Sequence, residues 1–180
     1  LVPEPVLLQR LAESIAAAEG RHWPDRHVEV RYATALPPAR GDSGFIGQVL
    51  RDLIATSMKY SPAHETVVVA LRSDPASVRV TVSDRAPGIA AAAGADAFTL
   101  FHRHPEVAGG VAGTGIGLYV AKMLIEAQGG GVWLRARAGG GTVVGSVAGI
   151  GALLRVRSPI HTPTQMPTGA NRTSSMPMTR

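Results

Sequence analysis

Three glycines at alternate positions, Gly113, Gly115 and Gly117, interleaved with Thr114 and Ile116, run through Leu118 into an apolar, helix-forming stretch over 119–127. A loop of this kind can hold an anion. Glycine lets the backbone approach a bound group and adopt φ above zero, and the first N–H groups of a helix lack intrahelical partners and sit at the positive end of its dipole. Glycine ahead of a helix is equally an ordinary turn. The pattern is not the dinucleotide fingerprint, which needs a glycine where Leu118 stands and a strand immediately before the loop. It is not a P-loop of Walker type either, because no Gly-Lys-Ser/Thr follows.

Two other stretches carry chemistry-bearing side chains. Asp52, Thr56 and Lys59 fall at i, i+4 and i+7, so a helix would line up a carboxylate, a hydroxyl and an ammonium along one side; a solvated helix face has the same pattern. Asp84 ends a β-branched run and precedes Arg85, Ala86, Pro87 and Gly88. A carboxylate at a strand end beside a Pro-Gly turn is a favoured place for a site and also a common turn former. None of the six histidines has ligand-type spacing on a helix, so no zinc site is expected. His64-Glu65 follows Ser-Pro and leads into a strand, which assigns it to a turn.

The elements that must hold these groups follow from periodicity. Residues 6–18 repeat apolar side chains at helical spacing between Pro5 and Gly20, and 27–32 alternate as a half-buried strand. Residues 36–41 read as a loop, with Asp42 or Ser43 capping a helix over 45–60 that Ser61-Pro62 ends. Residues 66–71 and 77–83 are two strands of a hairpin-like pair. The alanine- and glycine-rich segment 90–112 has the length of a lid. After the glycine loop and its helix come a strand at 132–136, the turn Gly139, Gly140, Gly141, and a last strand to about Val156. Residues 158–180, rich in Pro, Thr, Ser and Met without an acidic residue, read as a disordered tail.

Composition narrows the class. With 180 residues, 45% of them hydrophobic, the chain is long enough for one core plus a tail. The absence of cysteine excludes a disulfide scaffold and a thiolate metal site. The net charge of +5 comes mostly from scattered arginines without interleaved aromatics, which argues against nucleic acid as a partner. No stretch has the roughly 20 apolar residues of a membrane span, so no membrane contact is expected of this segment.

Taken in order, the pieces resemble the catalytic, ATP-binding domain of sensor histidine kinases, within the superfamily of gyrase, heat-shock chaperone and mismatch-repair ATPases. Residues 48–62 look like the family's N-box, Asp84 to Ile89 its first glycine box, Phe98, Phe101 and Arg103 its F-box, and Gly113 to Leu118 its second glycine box. The resemblance covers about residues 6–156. It implies a domain over 1–157 with an α/β fold: a two-layer α/β sandwich of Bergerat type, a mixed sheet backed by about three helices. It further implies that Asp84 reads the adenine amino group, Gly88 and Ile89 flank the base, Tyr60 contacts the adenine region and Lys59 the phosphates. The backbone of Gly113, Thr114, Gly115, Ile116, Gly117 and Leu118 would wrap the phosphate chain, and Arg103 would steady the γ-phosphate. The cofactors implied are ATP and Mg²⁺. The partners implied are a histidine-bearing dimerisation domain and a downstream response regulator, and the location is cytoplasmic, in a soluble or membrane-anchored sensor.

Three positions depart from the family pattern. Thr56 stands where an asparagine binds Mg²⁺; its hydroxyl is a possible ligand one atom closer to the backbone. Asp52 stands where kinases carry another asparagine and related ATPases a glutamate, and is a candidate metal ligand or short-armed general base. Ala86 replaces the first glycine of the Asp-x-Gly-x-Gly turn, which is expected to crowd the nucleotide mouth. The readings are therefore a working histidine kinase domain, or a degenerate nucleotide-binding or interaction module. A sigma-factor-restraining serine kinase is disfavoured by the F-box-like Phe98 to Arg103 segment.

Overall fold

The β-branched runs dictate the centre of the molecule. In the computed structural model, which describes residues 3–32, 36–86, 94–100 and 116–149, they form β4 (Thr66–Asp74) and β5 (Ser77–Ser83), an antiparallel pair closed by Pro75 and Ala76. Alternation sends Val67, Val69 and Leu71 of β4 and Val78, Val80 and Val82 of β5 to one face, where all six are buried. β2 (His27–Arg31) adds in parallel on one side. β7 (Thr142–Gly149) and β6 (Gly131–Ala136) add antiparallel on the other, giving the order β2-β4-β5-β7-β6. A parallel pair cannot be closed by a tight turn, and α2 (Ser43–Tyr60) makes the crossover from β2 to β4.

Three helices cover the apolar face: α1 (Leu8–His22), α2 and α3 (Gly117–Ala127). Their buried stripes, including Leu8, Ala12 and Ile15, then Leu50, Leu53, Ile54 and Met58, then Ala121 and Ile125, merge with the sheet valines into one core. The sandwich of one mixed sheet and one helical layer matches the expected fold. On the other face of the sheet the Trp133 indole lies over Gly145, where an added Cβ would come within 2.1 Å of the ring, and the Arg135 guanidinium lies 4.9 Å from the indole centroid.

The ends of α2 and α3 are tied by specific bonds. Asp42 caps α2, its Oδ1 accepting from the Gly44 and Phe45 N–H groups at 3.0 and 3.1 Å. At the other end of α2, the Arg26 guanidinium donates to the Met58 and Ser61 carbonyls and lies 5.2 Å from the Trp23 ring centroid. Gln128, just past α3, accepts from Asp42 N at 2.7 Å and donates to Leu124 O at 3.1 Å, joining the C-terminal end of α3 to the N-terminal end of α2.

The structure corrects several sequence-based boundaries. The first helix begins at Leu8 and runs through Gly20 to His22, so Val6 belongs instead to a short strand, β1 (Glu4–Val6). Its partner is β3 (Ala39–Gly41), inside the segment expected to be a loop. His22 is the last residue of α1, its ring nitrogen 3.0 Å from Ala18 O. Within 90–112 a short 3-10 helix spans Gly94–Phe98, with Phe98 buried. The expected strand beyond 149 and the tail at 158–180 lie outside the described residues.

Ile54 is fully buried at the centre of the helix–sheet interface. Ile54→Ala should therefore destabilise the fold by about 2–5 kcal/mol, read as the shift in a chemical denaturation midpoint at unchanged slope. A loss below about 1 kcal/mol would mean that α2 does not seat this residue in the core.

Candidate functional site

β5 delivers Asp84 just past its last residue, to the place where the last turn of α2 and the start of β7 converge. The residue is only 6% exposed, yet its carboxylate is held on three sides. Oδ1 accepts from the backbone N–H groups of Ala86 at 3.1 Å and Thr142 at 3.0 Å, while Oδ2 accepts from the Ser57 hydroxyl at 3.0 Å. Burial pushes its carboxyl above the ordinary value of 3.8, opposed by the donors of Thr142, Ala86 and Ser57 and by the nearby Arg137 charge. The main chain is fastened too, with Asp84 N donating to Thr142 O at 2.9 Å and Arg137 Nη1 to Asp84 O at 3.0 Å.

Beside this carboxylate lies a second polar group. Thr142 is 3% exposed, and its Oγ1 has no hydrogen-bond partner among the described residues. A buried hydroxyl left unpaired costs free energy that a bound donor or acceptor restores. Among the described residues Oδ2 carries one donor, Ser57, where a carboxylate oxygen accommodates two. The pair therefore presents one carboxylate acceptor and one hydroxyl in a desolvated corner, groups able to hydrogen-bond a ligand that carries an amine.

The remaining expected residues distribute along α2 and α3. Lys59 and Tyr60 occupy the last turn of α2, half-buried, with Lys59 Nζ 5.5 Å from the Tyr60 ring centroid. Thr56 and Asp52 sit one and two turns further back, also half-buried, and Asp52 Oδ1 accepts from Gln48 Nε2 at 2.8 Å. No described contact joins either of them to Asp84. Ile116 is the N-cap of α3 and, among the described residues, has no side-chain cap bond; Gly117 opens the helix with no described atom within 4 Å of a would-be Cβ, and Leu118 packs on the core. Gly88, Ile89, Arg103, Gly113, Thr114 and Gly115 lie outside the described residues.

The residues that the sequence pattern offers to a metal ion are Asp52 and Thr56, both on α2. The described residues contain no group of three or more His, Cys, Asp or Glu side chains arranged to hold one. One carboxylate and one hydroxyl fit Mg²⁺ only as a partial oxygen shell, completed by phosphate oxygens and water, which is the usual way this ion is bound beside nucleotides. Ala86, expected to crowd the mouth, is buried at 2% exposure, and its N–H is one of the donors that fix Asp84. Ser57, Arg85, Arg137 and Thr142 were not singled out by the sequence. Only the Gly139-Gly140-Gly141-Thr142 run could have flagged them, and it reads as a plain turn.

The raised carboxyl gives a stability prediction. Neutral Asp84 suits its site better than ionised Asp84, so its contribution is complete below pH 3.8 and is lost as pH rises through its higher folded value. Relative to Asp84→Asn, the wild-type chain should lose melting temperature across that window and then level off. Parallel melting curves of the two chains from pH 3 to 8 would show the carboxylate is not strained by burial.

Residues 41–147 match the family model described as histidine kinase-, DNA gyrase B- and HSP90-like ATPase. Among curated relatives, the adaptive-response sensory kinase SasA of Prochlorococcus marinus is 28% identical over 143 residues, covering 78% of this chain and 38% of the relative. The sensor histidine kinase WalK of Bacillus subtilis is 30% identical over 127 residues, covering 69% and 19%. The chain thus spans well under half the length of these relatives. Of solved structures, the mycobacterial sensor histidine kinase MprB superposes with a TM-score of 0.69 at 25% identity, covering 82% of this chain and 97% of that one. Full-length ShkA in complex with AMPPNP gives 0.71 at 25% identity, covering 87% and 33%. With the family model spanning more than half of its 180 residues, the chain belongs to the histidine kinase-, DNA gyrase B- and HSP90-like ATPase family, in the form of a sensor histidine kinase ATP-binding domain.

Proposed function

We propose that this chain is the ATP-binding catalytic domain of a two-component sensor histidine kinase, passing the γ-phosphoryl of ATP to a histidine on a separate dimerisation domain. The observation that carries the reading is the buried Asp84 carboxylate, which among the described residues has one oxygen filled by two backbone donors and the other held by Ser57 alone, next to a Thr142 hydroxyl with no described partner. Asp84 accepts from the exocyclic amine of adenine, and Thr142 donates to or accepts from the ring edge. Lys59 and Tyr60 lie within a turn of this corner, with Lys59 directed to phosphate and Tyr60 to the base. Gly88 and Ile89 flank the base, the backbone from Gly113 to Leu118 cradles the phosphates, and Arg103 balances charge on the γ-phosphate. A cytoplasmic location follows from the ATP supply, and a response regulator would take the phosphoryl group onward.

The protein contributes position and electrostatics. When bound, Mg²⁺ neutralises charge on the phosphate oxygens. Asp52 and Thr56 would supply its protein ligands, Asp52 using the oxygen that Gln48 leaves free. Asp52 is also the nearest candidate for a base on α2.

The chemistry of that donor set favours a second reading, a nucleotide-binding module with little transfer, because a hydroxyl replaces the longer amide at position 56. Titration with ATP in the presence and absence of Mg²⁺ separates the two. A kinase domain should bind ATP more tightly with the ion and label a supplied histidine-bearing helical domain from γ-labelled ATP; affinity indifferent to Mg²⁺ supports the module. Thr56→Asn should raise the Mg²⁺-dependent affinity several-fold, and no gain would show that Asp52 and water already complete the shell.

Asp84→Asn tests the base reader directly. Its amide oxygen can keep the two backbone donors, which turns an NH₂ group toward the adenine amine, donor against donor. ATP affinity should drop by about tenfold or more in calorimetry. An unchanged affinity removes Asp84 from the binding site.

A further inference from the structure

The turn between β6 and β7 is made of Ala138, Gly139, Gly140 and Gly141, and its three glycines have φ of 76, 94 and 105°. Three successive glycines without side chains give a turn that loses more conformational freedom on ordering than any other, so something must hold it in one place. Arg85, the residue after Asp84, does so. Its Nη1 donates to the carbonyls of Ala138 at 3.3 Å, Gly139 at 2.7 Å and Gly140 at 3.1 Å. From the opposite side Arg137, at the root of the turn, donates to Asp84 O. The two segments thus exchange arginines: the one beside the carboxylate grips the turn, and the one beside the turn grips the carboxylate's own main chain. Gly141 lies so close that an added Cβ would stand 2.1 Å from Asp84 O.

What this exchange positions is the Thr142 N–H. It reaches Asp84 Oδ1 from a strand 58 residues away in sequence, whereas the other donor on that oxygen, Ala86 N, comes from the carboxylate's own loop. The terminal torsion of an aspartate is broad and roughly two-fold, so a single local donor leaves the carboxylate free to turn. Two donors converging on Oδ1 from separate segments fix which oxygen faces the pocket.

We propose that Arg85 and Arg137 are positioning residues for base recognition, locking the β6–β7 turn against Asp84 so that Oδ2 alone is offered to the ligand and an amine-bearing purine is selected over a carbonyl-bearing one. The proposal rests on the reading of the site as an ATP pocket. A guanine base would place an oxygen against the fixed carboxylate oxygen, while adenine places a donor there. Loosening the turn lets the carboxylate rotate, and the preference is diluted without the phosphate-binding parts being touched. Arg85 also ties this corner to α2, since its N–H donates to Ser61 Oγ at 3.3 Å, a bond that side-chain substitution preserves.

The test uses the whole 180-residue chain with Arg85→Ala, Arg85→Lys, Arg137→Ala and Asp84→Asn variants. Arg85→Ala should weaken ATP about tenfold and narrow the ATP to GTP ratio by a similar factor, leaving tripolyphosphate affinity unchanged. In the ligand-free protein the amide exchange of Thr142 and Ala86 should accelerate, while the β4–β5 ladder exchanges as before. Arg85→Lys, which keeps the charge but not the planar fork, should recover only part of the ratio. Arg137→Ala removes the grip from the other side and should move the same readouts, which keeps the test available if Arg85→Ala folds poorly. The proposal is overturned if both alanine variants keep the wild-type ATP to GTP ratio and Thr142 exchange while Asp84→Asn loses ATP. If Asp84→Asn has no effect either, it is the reading of this corner as the base pocket that fails, and unchanged Thr142 exchange in both alanine variants would then show that the arginines do not hold the turn.

Discussion

A carboxylate taken out of water must be surrounded by donors, and the architecture around Asp84 is arranged to meet that demand. Its donors come from three different places: the α2 helix through Ser57, the loop that follows β5 through Ala86, and the first residue of β7 through Thr142. None of these segments could shift by the width of an atom without leaving a buried charge short of a partner. The register of β5 against β7, which pairs Ser83 with Val143 and so brings Thr142 alongside Asp84, is therefore as much a requirement of the site as of the sheet. Desolvation still wins over these donors, since the carboxyl titrates above its ordinary value. Burial of the carboxylate thus carries a cost that these donors offset only in part.

The apolar layer makes this tolerable. Val82 and Val144 pair directly across the strands that carry Asp84 and Thr142, both facing the core. α2 is seated on the same valines by Leu50, Leu53, Ile54 and Met58, so its last turn is presented to Asp84 at a fixed height. Arg26 closes the helix by taking up the Met58 and Ser61 carbonyls, which lets Ser57 and Ser61 keep their hydroxyls for the site.

Much of this layering is legible in the residues themselves. The period of two in β4 and β5 and the 3.6-residue stripe of α2 are long, regular signals, and the structure follows both. The β1–β3 ribbon is invisible because three residues per strand carry no period, and Gly20 fails as a stop signal because a glycine with open space around it costs an exposed helix only modestly. The site divides in the same way. Asp84 stands out through its Pro-Gly neighbour, but Ser57 and Thr142 acquire their roles only from partners 27 and 58 residues away, a relation that no local pattern encodes. Ala86, which looks like a defect beside the family's glycine, donates through its main chain, and the donor it supplies does not depend on the side chain.

The Gln128 bonds at the foot of α3 have a mechanical consequence. That side chain fastens the C-terminal end of the helix to the capped start of α2, whereas the opposite end begins at Ile116 with no side-chain cap. Among the described residues the two ends are therefore held differently: the C-terminal end by hydrogen bonds to the start of α2, the N-terminal end by the apolar packing of Leu118 on the core. Apolar packing is non-directional, so among the described residues the first turn can adjust without breaking a side-chain hydrogen bond, whereas movement of the last turn breaks those of Gln128.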